Sequence, residues 1–354
     1  GPPRFALVFA LLTTWTVGAC GPDRTPGFEY EVEIVPLAAD VFHVGDHLAI
    51  PIGLRIFGDH LVAIDQQGHH NVHVIDRDDG TLRRSVGSVG EGPTEFRAPV
   101  AVIPDAEGRL WVVDGGEQRA MRVNPDRVAE GEDWAGEIVT FSGQAVLDAV
   151  RTADGRWLVE GIFPEGRLAL FDAGGKLLGF PVDLPAHDDM SPIQASQAHW
   201  SSLAAHPDLD RFVLAGHNHA EILYLDRNGE AADRADVPIP VEPEYVLGSG
   251  NRFTTTDGSL AAYADVVATR DRIYALFSGR TGEDYGAYQL LGRDVHVFDW
   301  EGELVSVLRL DRDALTLEVD EENGWLYTVE LDPRPAILRY PLPPALTRGG
   351  AGSR

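Results

Sequence analysis

Gly108-Arg109-Leu110-Trp111-Val112-Val113-Asp114 sets a turn glycine ahead of a short apolar run rich in β-branched and aromatic residues. Such a run, bounded by turn residues, reads as a buried strand. It has five counterparts: Leu61-Val62-Ala63-Ile64, Trp157-Leu158-Val159, Phe212-Val213-Leu214, Ile273-Tyr274-Ala275-Leu276 and Trp325-Leu326-Tyr327-Thr328. A repeat of one strand unit decides the fold before any single residue does.

About ten residues after each run comes another strand. Five of these end in Asp or Asn: Val74-Ile75-Asp76, Arg122-Val123-Asn124, Leu170-Phe171-Asp172, Tyr224-Leu225-Asp226 and Val297-Phe298-Asp299. The sixth is Leu338-Arg339-Tyr340. Asp76, Asp172, Asp226 and Asp299 are each followed by a glycine three or four residues on. Asp starts such a turn by bonding nearby backbone, and Gly takes the left-handed position. A fourth strand follows, as in Leu304-Val305-Ser306-Val307-Leu308. Most of the units are spaced as propeller blades of four strands are, at about 40–50 residues. The stretch from Asp226 to Asp299 is longer, and an insertion is expected within Ser278–Asp294. The expected architecture is therefore all-β: a six-bladed propeller of four-stranded antiparallel blades over residues 29–342. The last unit lacks an outer strand, and the alternating run Tyr30–Val35 is expected to supply it and close the ring, which protects sheet edges. Residues 343–354 are expected to be a disordered tail.

The segment Gly90-Glu91-Gly92-Pro93-Thr94-Glu95-Phe96-Arg97-Ala98-Pro99, taken with 108–114, resembles NHL-type repeats and the TolB-like six-bladed propeller lipoproteins of bacteria. The glycines suit a tight crossover, Phe96 a wedge in the seam between blades, and Pro99 the start of a strand. The motif is structural.

At the N-terminus, Phe5–Val17 is apolar and follows Arg4, too short to span a bilayer but of the right length for a secretory signal. Val17-Gly18-Ala19-Cys20 resembles the lipobox of bacterial lipoproteins. That resemblance implies a signal segment over 1–19, a lipidated Cys20 and a tether over 20–28. It also implies an extracytoplasmic protein whose membrane contact is the anchor alone. Gly21 after the cysteine, with no Asp there, favours the outer membrane or surface. Cys20 is the one cysteine, so no internal disulfide can form. A net charge of −27 repels phosphate backbones and excludes nucleic acid as a partner.

Function is expected on the face carrying the second-to-third-strand turns and the crossovers, where long loops sit on a rigid frame. The long segments there are Ala186–Ser202, Val241–Gly258 and the Ser278–Asp294 insertion. Candidate ligand residues on this face are His69, His70, Arg119, His199, Trp200, His217, His219, Tyr245 and Tyr285. His69, His217, His219 and Asp188 are the candidate metal ligands, for zinc or calcium, since imidazole and carboxylate suit such ions. No resident cofactor is otherwise expected. Trp111, Trp157 and Trp325 are expected in the core. Phosphate-loop, nucleophile-elbow and zinc-protease patterns are missing. Two readings follow: a module binding a peptide, glycan or protein through the loop face, or a lactonase-like metal-dependent hydrolase or lyase with an ion near the central channel.

Overall fold

The computed structural model describes residues 27–142 and 145–348. The signal segment and Cys20 lie outside the described residues. Six antiparallel sheets follow one another along the chain. Blade one is built from Pro51–Phe57, His60–Asp65, Val72–Asp76 and Leu82–Val86. Blade two runs from Pro99–Pro104 to Ala135–Thr140 and blade three from Val146–Arg151 to Leu177–Val182. Blade four runs from Ser201–Ala205 to Ala231–Arg234 and blade five from Tyr263–Ala268 to Leu304–Ala314. Blade six takes Leu317–Asp320, Trp325–Glu330 and Ala336–Pro341. The first strand of every blade packs on that of the next, and the sixth on the first, so the inner strands form a closed circuit.

The outer strand of blade six comes from the N-terminus, but it is not Tyr30–Val35. Asp40–Val44 pairs antiparallel with Ala336–Pro341. Ile34–Leu37 instead pairs parallel with Leu304–Ala314, as a fifth strand on blade five. Alternation marks a strand without saying which sheet it joins. The choice falls to packing: Phe42 meets Tyr327 edge to face at 5.2 Å and lies under the Arg339 guanidinium. Pro36, with no N–H to donate, suits the edge position on blade five.

Tyr30 is half-buried against blade five. Its hydroxyl donates to Asp294 Oδ2 at 2.7 Å and lies 3.1 Å from His296 Nε2. The Tyr263 hydroxyl lies 3.1 Å from His296 Nδ1, and Arg309 holds Asp294 at 2.8 and 2.9 Å. Burial holds the His296 imidazole down at about 3, so it is neutral and can accept on one nitrogen and donate on the other. Tyr30→Phe is expected to lower stability by about 1–2 kcal/mol in urea denaturation, because it leaves buried partners unmade.

Two further expectations are revised. The extra length before Asp299 is divided between the loop ahead of Gly292–Asp299 and a hairpin, Tyr245–Gly248 with Arg252–Thr255, in the crossover into blade five. Residues 343–348 are not a free tail. Pro344–Leu346 is a short 3-10 turn whose Leu346 is buried, and Arg348 N–H donates to Glu321 O.

The core lies between blades. Trp111 and Trp157 meet at 5.1 Å, nearly perpendicular, with Phe141 and Phe171 beside them, joining blades two and three. Trp325, by contrast, is only half-buried, under Arg339. Phe96 fills the seam of blades one and two, and Asp114 takes the N–H groups of Arg97 and Ala98, which ties down the crossover.

Candidate functional site

On the loop face, three segments distant in sequence meet over blades three to five. The crossover from blade three carries the helix Pro192–Ala198, started by a capping box in which Ser191 and Gln194 bond each other's backbone. Gln197 Oε1 accepts from Phe253 N–H and Gln194 donates to Arg252 O, which seats the inserted hairpin on the helix. The turn after Phe212–Gly216 brings up the third segment.

These segments gather histidines. His199, ending the helix, stacks on His219 at 4.3 Å and 11°, and its Nε2 is 3.0 Å from His187 Nε2. His219 Nδ1 bonds Ala198 O, and its Nε2 is 3.4 Å from the exposed Glu242. His217 lies against Trp200 at 4.3 Å and bonds Ser202 Oγ at 3.3 Å. Tyr245 packs on Phe253 and donates to Asp189. Burial holds His199 at about 3 and His217 at about 4, so both are neutral near pH 7. Below them, Arg167 bonds Glu221 at 2.6 Å and Ser201 Oγ at 3.1 Å. Glu160, whose carboxyl is pushed well up by burial, accepts from Ser201 N–H. Beside the cluster is a groove of about 440 Å³, lined by Pro164, Glu165, Asp183, His187, Met190 and Pro192, among others. No lysine or arginine is among its lining residues.

His199, Trp200, His217, His219 and Tyr245 therefore come together. The other candidates do not join them. His69 and His70 are exposed on blade one, where His70 bonds Gly87 O. Arg119 is buried and donates to Gly92 O and Glu95 O, so its guanidinium holds the crossover into blade two. Tyr285 lies under Arg280, which is bidentate to Asp313. Asp188 is exposed. Among the described residues, no three His, Cys, Asp or Glu side chains already converge as a metal centre.

Sequence reasoning missed the carboxylates of the inner strands. Asp148 Oδ2 accepts from Leu203 N–H of blade four, Asp265 Oδ2 from Leu317 N–H of blade six, and Glu318 Oε1 from Ile56 N–H of blade one. Each ties its blade to the next. The readable signal was a carboxylate within otherwise apolar inner strands, as in Val146–Arg151 and Tyr263–Ala268.

A family model described as TolB-like 6-blade propeller-like matches residues 32–322. The NHL repeat-containing protein 3 of Mus musculus is 32% identical over 109 residues, 27% of this chain and 30% of that protein. The matched stretch thus spans under a third of that relative's length. Among solved structures, a member of the DUF4221 family from Bacteroides vulgatus superposes with a TM-score of 0.58 at 10% identity, over 86% of this chain and 97% of the other. A gluconolactonase from Xanthomonas campestris gives 0.52 at 16% identity, over 84% and 88%. At these identities the likeness carries the fold alone.

Proposed function

Because this chain belongs to the TolB-like family of six-bladed propellers, we propose that it is a binding module, held outside the cytoplasm at a bacterial membrane by a lipid on Cys20. It captures a peptide or protein partner on the loop face over blades three to five. The carrying observation is the groove beside the histidine and aromatic cluster, which has acidic lining residues and neither lysine nor arginine. Such a surface favours a partner with basic side chains, and the net charge of −27 steers the same class toward it. Prolines and Met190 supply apolar contact.

Fluorescence anisotropy of the full chain against matched peptides, one set bearing Lys and Arg and one bearing Glu, tests the reading. Basic peptides are expected to bind more tightly at low salt, and Glu165→Lys with Asp183→Lys to weaken binding about tenfold or more. Equal binding of both sets, or no effect of the two lysines, refutes it. Globomycin sensitivity of the precursor's processing tests the anchor separately. The hydrolase reading gains no specific observation, since the gluconolactonase likeness is one of fold.

A further inference from the structure

A second group of histidines stands where the N-terminal strand hands the chain to blade one. His43 lies on Asp40–Val44 of blade six, His47 on the crossover, and Asp65 and His73 on adjacent strands of blade one. His43 Nδ1 donates to Gly80 O at 2.7 Å, which leaves its Nε2 as a bare lone pair. That Nε2 is 2.9 Å from His47 Nε2. The His47 and His73 rings are 5.1 Å apart. His73 Nδ1 is tied to Ser85 Oγ at 2.7 Å, while its Nε2, fully buried, has no hydrogen-bond partner and lies 3.9 Å from Asp65 Oδ2. Asp65 Oδ1 accepts three backbone N–H groups, from Ile50, Gln67 and Gly68, whereas Oδ2 accepts only that of Ala49.

Two imidazoles thus have Nδ1 tied to an oxygen and Nε2 turned inward, the arrangement that orients histidines on metals. We propose that His43, His47 and His73, with Asp65 Oδ2 as fourth donor, bind one borderline divalent cation of the zinc class. Imidazole nitrogens on a tetrahedral zinc stand about 3.3 Å apart, given bonds of about 2.0 Å. The His43–His47 spacing is already close to that. The full set is not closed as it stands. Closure needs a turn of His47, which is half-buried and so both free to turn and open to solvent, and a shortening of the 3.9 Å gap. Burial lowers the pKa of all three imidazoles, so they are in the neutral, ligating form near pH 7. Asp46 adds negative charge beside His47, and His70 is the other titratable group near His73. The site spans the seam between the last and first blades, so a bound ion would cross-link the closure of the ring. This inference is independent of the groove on blades three to five.

The test is calorimetric titration of the full chain, carrying no polyhistidine tag, with Zn²⁺, and Co²⁺ substitution read by visible absorption. One Zn²⁺ per chain and a tetrahedral Co²⁺ spectrum are expected, with affinity reduced about tenfold or more in His73→Gln and in His47→Gln. The second variant sits on the half-buried crossover and keeps the test valid if the first folds poorly. No bound ion overturns the proposal. So does binding that survives both variants, or that is lost instead in His187→Gln.

Discussion

Asp148→Asn is expected to change stability relative to the parent in a strongly pH-dependent way, gaining about 3 kcal/mol on the parent between pH 4.5 and pH 8. Asp148 is half-buried on the inner strand of blade three, and desolvation pushes its carboxyl pKa up to about 7, against 3.8 for the free residue. A carboxyl raised in this way binds its proton more tightly in the folded chain. Its contribution is full below about pH 4 and is lost as pH rises through about 7, at about 1.4 kcal/mol per unit. Asparagine carries no proton to lose. At acid pH the variant should be about 1 kcal/mol worse, since asparagine has a single accepting oxygen where the carboxyl uses one oxygen for Ala149 N–H and the other for Leu203 N–H. Glu318, also held at about 7 by burial despite Arg55 beside it, should behave alike. Urea denaturation of parent and variant at pH 4.5, 6 and 8 measures the swing, and a constant difference across that range would count against it.

The parent alone should show little of this. Buried His73 and His217 are held at about 4 and His199 and His296 at about 3, below the ordinary 6.5. Their contribution is present above about pH 6.5 and is lost as pH falls toward those values. Between about pH 4 and 6.5 the histidines and the inner-strand carboxyls therefore act in opposite directions. Only the single-site difference isolates one of them.

Gly80→Ala is expected to cost about 2–5 kcal/mol, and Gly58→Ala only about 1–2. Both glycines have positive φ, +74° and +56°, where an L side chain is strained by about 1–2 kcal/mol. Around Gly58 there is open space, whereas a Cβ on Gly80 would stand 2.2 Å from Phe42 O. That oxygen belongs to the strand completing blade six, so relief requires the closing strand to move away, with overpacking adding about 1–3 kcal/mol. Gly175 meets Thr140 O of the preceding blade in the same way. The Asp-to-Gly turns therefore do two things: they reverse the chain, and they let each blade approach its neighbour. Urea midpoints for the two variants measure the difference, and equal losses would show that the turn alone requires the glycine.

Local chemistry determined the repeat. Each apolar run, each Asp turn and each third-strand end is dictated by residues within about ten positions of one another, so Leu110–Asp114 or Asp172 with Gly175 could be placed from sequence. The same holds for Phe96, whose motif is contiguous. Contacts across seams were not legible this way. Whether Tyr30 or Phe42 would close the ring depended on Asp294 and Tyr327, nearly the whole chain away. The histidines show the same division. His69 and His70 are adjacent in sequence yet stay exposed on one blade tip. His187, His199 and His219 meet because a capped helix, a crossover and a turn converge, and His43 reaches His73 because the last blade borrows a strand from the N-terminus. Periodicity and turn residues act over a few bonds and so survive in the linear sequence. Convergence of side chains depends on how the blades close into a ring, and only the folded ring decides that.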